Sequence, residues 1–180
     1  MMLENFLNEA VLYIYRLSIG DIASCAVFMA LIFCALYRRF EQKRWLRLVL
    51  LFVLGTWCAA VLWITVFNRS GGTYAAHWIP LYTYWQVFPG KNPEAFRSAL
   101  MNAALFYPAG LLWGSLMPRS MELRKKLLWT ILLFGLLSLT IELSQYWLQL
   151  GVFEIDDVLH NTLGAVLGVI AFCRFENGTG

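Results

Sequence analysis

Two polar stripes and one isolated amide carry the chemistry that this sequence could perform. Ser138, Glu142, Gln145 and Gln149 recur at i, i+4, i+7 and i+11, the interval that aligns side chains along one helical face. Asp157, Asn161, Gly164 and Gly168 repeat that interval, with Asp156 just ahead of them. Asn102 stands upstream of Phe106, Pro108 and Gly110. Glu142 with Asp156 or Asp157 could supply general acid–base chemistry or share a divalent cation. The same carboxylates, with the amides of Asn102, Gln145 and Asn161, could instead grip a polar head group without any reaction. No HExxH, GxSxG or Walker loop accompanies them. No catalytic residue, metal set or cofactor is therefore assigned.

Each residue also has a structural reading. Asp156 or Asp157 serves equally as a cap on a helix N-terminus. Asn102, Gln145 and Asn161 could simply bond helices together, at an average of roughly 0.6 kcal/mol per contact. Gly164 and Gly168 form a GxxxG contact that lets another helix approach. Pro108, which frees a backbone carbonyl, is expected to bend its own helix, and Gly110 beside it reads as a packing position. His160 reads as a core or interface histidine. Glu142 resists such an account, because a carboxyl below a membrane surface must be protonated, paired or hydrated.

The elements that must position these groups are membrane spans. Apolar residues make up 60% of the 180-residue chain and charged residues 14%, against about 25% charged in soluble domains. About 20 mostly apolar residues cross a bilayer; four segments qualify, and a fifth, shorter one bounded by polar residues is counted with them. They are an opening segment running to Tyr37, then Leu46–Phe67, Ser98–Met117, Leu127–Leu148 and the shorter Val158–Cys173. The expected fold is all-α, a polytopic bundle of about five transmembrane helices in one domain, 1–180. The beginning MMLENFLNEA carries acids where a signal peptide needs bases. Cys25, Cys34, Cys58 and Cys173 fall inside apolar segments without paired spacing and read as packing residues.

Loop charge sets the expected orientation. Arg38, Arg39, Lys43, Arg44 and Arg47 lie between the first two spans, and Arg119, Arg124, Lys125 and Lys126 between the third and fourth. The loop from Gln149 to Asp157 carries only acids. The positive-inside rule then puts the N-terminus outside and the C-terminus inside. Asn102, Asn161 and Asp21 enter from outside, and Glu142 sits about 9 Å below the outer end of its span at 1.5 Å per residue. The stripes are expected to converge in a polar pocket opening outward. The aromatic run His77 to Trp85 is expected to lie along the outer surface as an interfacial or re-entrant segment.

At these residues the sequence resembles the VanZ-like family of bacterial membrane proteins. The signatures are Asn102-x3-Phe106-x-Pro108-x-Gly110, Glu142-x2-Gln145, and Phe153-Glu154-Ile155-Asp156-Asp157-x3-Asn161-x2-Gly164-x3-Gly168, with Ile79-Pro80 upstream. They run from about residue 79 to 170, and their order is more specific than any one piece. Many members carry an Arg just before the acidic turn, where this chain has Gly151-Val152, so a pairing of Arg with carboxylate there is not carried over. The resemblance implies a bacterial plasma membrane and a role in resistance to teicoplanin, a lipoglycopeptide; it supplies no reaction.

The expected activity is binding of a lipid-linked or lipid-tailed molecule at the outer leaflet, with Asn102, Glu142, Gln145, Asp156, Asp157 and Asn161 as candidate ligands. The alternative is an intramembrane enzyme that modifies a lipid or cell-envelope precursor through Glu142 and Asp156 or Asp157. A transporter ranks third, because five spans without an internal repeat are few for alternating access. The partners expected are membrane lipids, with a lipoglycopeptide or lipid-linked cell-wall precursor as the specific one. Nucleic acid is not among them, and the basic loops need only anionic head groups.

Overall fold

The computed structural model describes Tyr37, residues 44–67, residues 75–82, Tyr84 and residues 93–178. The expected opening span with Asp21, Cys25 and Cys34, and the bases Arg38, Arg39 and Lys43, lie outside the described residues. Four helices are present among those described: α1 (Arg44–Leu62), α2 (Pro93–Leu116), α3 (Leu123–Trp147) and α4 (Ile155–Asn177). A π-helical turn, Trp63–Phe67, extends α1. All four are long and apolar enough to cross a membrane.

Burial is inverted relative to a water-soluble bundle. On α3 the buried residues include Lys126, Thr130, Ser138, Glu142 and Gln145, while Leu128, Trp129, Ile131, Leu132, Leu133 and Leu136 are exposed. In water that outer surface would be a long unbroken apolar patch, a liability for any soluble monomer. In lipid it is the solvated face. The fold is an all-α membrane bundle.

Residue pairings give the helix directions. Asn161 meets Ser138 and Lys126 meets Cys173, so α3 and α4 run antiparallel. A Cβ on Gly164 would meet Ala103, one on Gly168 would meet Tyr107, and one on Gly114 would meet Phe172; rising together, these pairs make α2 and α4 parallel. The α2–α4 seam is the most extensive in the bundle. It closes because Gly110, Gly164 and Gly168 have no side chain: a Cβ on them would lie 2.0, 2.0 and 2.2 Å from the carbonyl oxygens of Ala165, Ala103 and Tyr107. Small residues let backbones approach this closely where lipid gives helices no hydrophobic reason to associate.

Buried Pro108 lies inside a continuous α2. It has no N–H for the carbonyl four residues back, and in the same turn the Leu105 carbonyl accepts the Trp57 indole N–H at 2.9 Å. Tyr37 packs edge-on against Phe172 on α4, with ring centroids 5.2 Å apart.

Several boundaries differ from the hydropathy reading. α4 runs from Ile155 to Asn177, not from Val158 to Cys173, and α2 begins at Pro93, ahead of Ser98. Backbone hydrogen bonding does not stop where hydropathy falls. Proline suits a first helical position, and acids stabilise a first turn. α3 begins at Leu123, which takes Lys126 out of the expected loop and into a buried helical position. One element was not expected at all. A parallel strand pair joins β1 (Ala76–His77) to β2 (Phe153–Glu154), with Ala76 opposite Phe153 and His77 opposite Glu154.

Candidate functional site

The stripe on α3 points inward. Ser138, Glu142 and Gln145 are buried, as are Asp156, His160 and Asn161 on α4. Asn161 Nδ2 donates to Ser138 Oγ at 2.8 Å, tying the two stripes together. From that contact Glu142 lies one turn onward along α3 and Asp157 one turn back along α4. Because the helices are antiparallel, both carboxylates stand at the same level, nearer the turn between α3 and α4. Asp157 is half-buried.

Glu142 organises this turn. Its Oε2 accepts the backbone N–H of Glu154 at 3.1 Å, reaching from helix to strand. The Gln145 side-chain amide donates to the Thr65 carbonyl in the π-helical turn at 3.0 Å, and the Gln145 backbone carbonyl accepts Leu150 N–H at 2.8 Å. Gln149 does not continue the stripe. The helix ends at Trp147, and Gln149 is exposed with φ 57, a left-handed conformation in which the chain reverses.

Asp156 and Asp157 occupy the first turn of α4, but Glu154 is the N-cap residue and makes no side-chain cap bond. Asp156 reaches further. Its carboxylate accepts the backbone N–H of Leu81, which has φ 66. A non-glycine residue in that region costs on the order of 1 kcal/mol, and the charged acceptor offsets it.

The described part of the aromatic loop is thus clamped over the acidic turn. Trp78 stacks on Phe153 with centroids 4.2 Å apart, and Phe153 N–H donates to the Ala75 carbonyl at 3.0 Å. His77 Nδ1 lies 3.4 Å from Glu154 Oε1, and its ring packs 4.7 Å from that of Tyr82. Tyr84 hydrogen-bonds His160 Nε2 at 3.0 Å. His77, Trp78, Leu81 and Tyr84 were not candidates from sequence. The aromatic run marked the segment, but a backbone amide donating to Asp156 has no residue-type signature.

Asn102 is half-buried on α2, one residue before the Ala103–Gly164 contact and so within about a turn of Asn161. Among the described residues, the buried atoms Asn102 Nδ2, His160 Nδ1 and Asn161 Oδ1 meet no hydrogen-bond partner. Buried polar atoms are almost always satisfied, by protein or by something else. Two amides and an imidazole offer both donor and acceptor capacity, which suits recognition of hydroxyl, amide or ester groups. Among the described residues no group of three His, Cys, Asp or Glu is arranged to hold a metal ion.

The family profile described as VanZ/LLP1 matches residues 54–176, a span that takes in every residue of this site. No curated protein and no solved structure matches the chain.

Proposed function

The chain belongs to the VanZ/LLP1 family, and from that premise we propose that it binds a lipid-linked or lipid-tailed molecule at the outer leaflet of a bacterial plasma membrane. In this reading the N-terminus is outside and the C-terminus inside. The acyl chain lies between helices, and the polar head meets Glu142, Asp156, Asp157 and the two asparagines. By occupying that surface, the protein lowers the access of teicoplanin-type lipoglycopeptides to lipid-linked cell-wall precursors.

The observation that carries this proposal is a segregation along the bundle axis. The buried carboxylates, and the amide and imidazole atoms that meet no partner among the described residues, lie near the α3–α4 turn, beneath an aromatic clamp. The bases Arg119, Arg124, Lys125 and Lys126 lie at the opposite end, with Lys126 about 24 Å from Glu142 along α3 at 1.5 Å per residue. Anionic cytoplasmic lipid and the positive-inside rule assign the basic end to the cytoplasm, which directs the polar end outward. One Glu142 oxygen is held by the Glu154 amide, an arrangement that orders a binding rim.

The test is Glu142→Gln in a sensitive host, with membrane levels matched by immunoblot. Glutamine keeps an acceptor for the Glu154 amide and removes the charge and the proton. The expected result is lost protection against the lipoglycopeptide with normal protein levels. Equal protection by both proteins would sink the role given to this carboxylate.

A further inference from the structure

The basic end of the bundle holds a feature that orientation alone does not explain. A helix N-terminus is a positive pole and is favoured by acids. The N-cap residue of α3 is Glu122, whose side chain makes no cap bond; the first turn itself contains no acid, and Arg124, Lys125 and Lys126 follow in succession. Exposed bases such as Arg124 and Lys125 serve the positive-inside rule by themselves. Lys126 does not need to be buried for that purpose, yet it is only 4% exposed. Its ammonium lies 4.0 Å from Cys173 Sγ, and no carboxylate pairs with it among the described residues. A buried ammonium with no carboxylate in ion-pair contact is costly.

Lys126 opens into a cleft of about 130 Å³ bounded by Arg119, Met121, Leu123, Cys173 and Glu176. Glu176 is ion-paired with Arg119. Counted over the described residues, a cleft with two cations, one anion and a helix's positive pole has net positive character. Met121 and Leu123 give it an apolar edge, and Leu123 is exposed where lipid would meet it.

We propose that this cleft binds the phosphodiester head group of an anionic membrane lipid. Lys126 and Arg119 donate to the phosphate oxygens, the first-turn amides of α3 face the negative charge, and the acyl side lies along Met121 and Leu123. The site is separate from the carboxylate end of the bundle and anchors the basic end in its leaflet.

The experiment uses the purified full-length protein in neutral detergent and measures lipid retention by native mass spectrometry. The probes are dioleoyl phosphatidylglycerol, dioleoyl phosphatidylcholine and inorganic phosphate. A cation near a lipid surface favours an anionic lipid by about five-fold, so phosphatidylglycerol should be retained at least about five-fold better than phosphatidylcholine. Lys126→Met keeps the length and apolar stem of the side chain and should lower that preference by about five-fold. Arg119→Gln, at an exposed position, should lower it too and decides the matter if the buried substitution does not fold. Equal retention of the two lipids would overturn the proposal, as would two folded variants that keep the full preference. Displacement of phosphatidylglycerol by an equal concentration of inorganic phosphate would overturn the lipid assignment in favour of a free anion.

Discussion

Gly164→Ala adds one methyl group to the tightest seam of the bundle. The new Cβ would stand 2.0 Å from the Ala103 carbonyl oxygen and 2.8 Å from its carbonyl carbon and Cα. All three are backbone atoms, so no side chain can swing aside. Reaching ordinary contact at about 3.4 Å requires α2 and α4 to part by roughly 1.4 Å at that point. A gap of about 1 Å already forfeits up to half of a dispersion well, and rigid helices spread the separation to the Gly168 and Gly110 contacts. Overpacking usually costs about 1–3 kcal/mol; with only backbone to move, this substitution should reach about 3 kcal/mol or more. Gly55→Ala on α1 is the control, because a Cβ there meets nothing within 4 Å among the described residues. It should be neutral or gain up to about 1 kcal/mol from helix propensity. Unfolding of the purified proteins in mixed micelles, titrated with sodium dodecyl sulfate, measures both. Adding Gly168→Ala to Gly164→Ala should cost less than the two separate losses, since the first has already opened the seam. Wild-type stability in Gly164→Ala, or equal damage from Gly55→Ala, would refute this account of the packing.

Trp78→Ala removes the stack on Phe153, worth about 1 kcal/mol beyond its buried area. Because Trp78 is largely exposed, the bundle should keep its unfolding midpoint while limited proteolysis ahead of α2 accelerates about five-fold; an unchanged cleavage rate would count against the clamp. A reporter fused after Gly180 should be active only as a cytoplasmic reporter. An extracytoplasmic signal would reverse the bundle and turn the carboxylate end inward.

Much of the architecture is written in local sequence. Lipid as solvent demands long apolar helices with satisfied backbones, so composition and run length revealed four of the spans that the structure describes. The 3.6-residue period put Ser138, Glu142 and Gln145 on one face, and that face is buried. The GxxxG spacing likewise announced a close helix contact, realised between Gly164 and Ala103. Tertiary structure decided what those faces meet. The bond from Leu81 to Asp156 joins groups 75 residues apart through a main-chain amide, and every non-proline residue has one, so no residue type betrays it. The same holds for Gln145 on the Thr65 carbonyl and Glu142 on the Glu154 amide. Hydropathy counted Lys126 among loop bases, because a charged residue lowers any window average. Only the antiparallel docking of α3 on α4, which brings Lys126 against Cys173, turns that base inward.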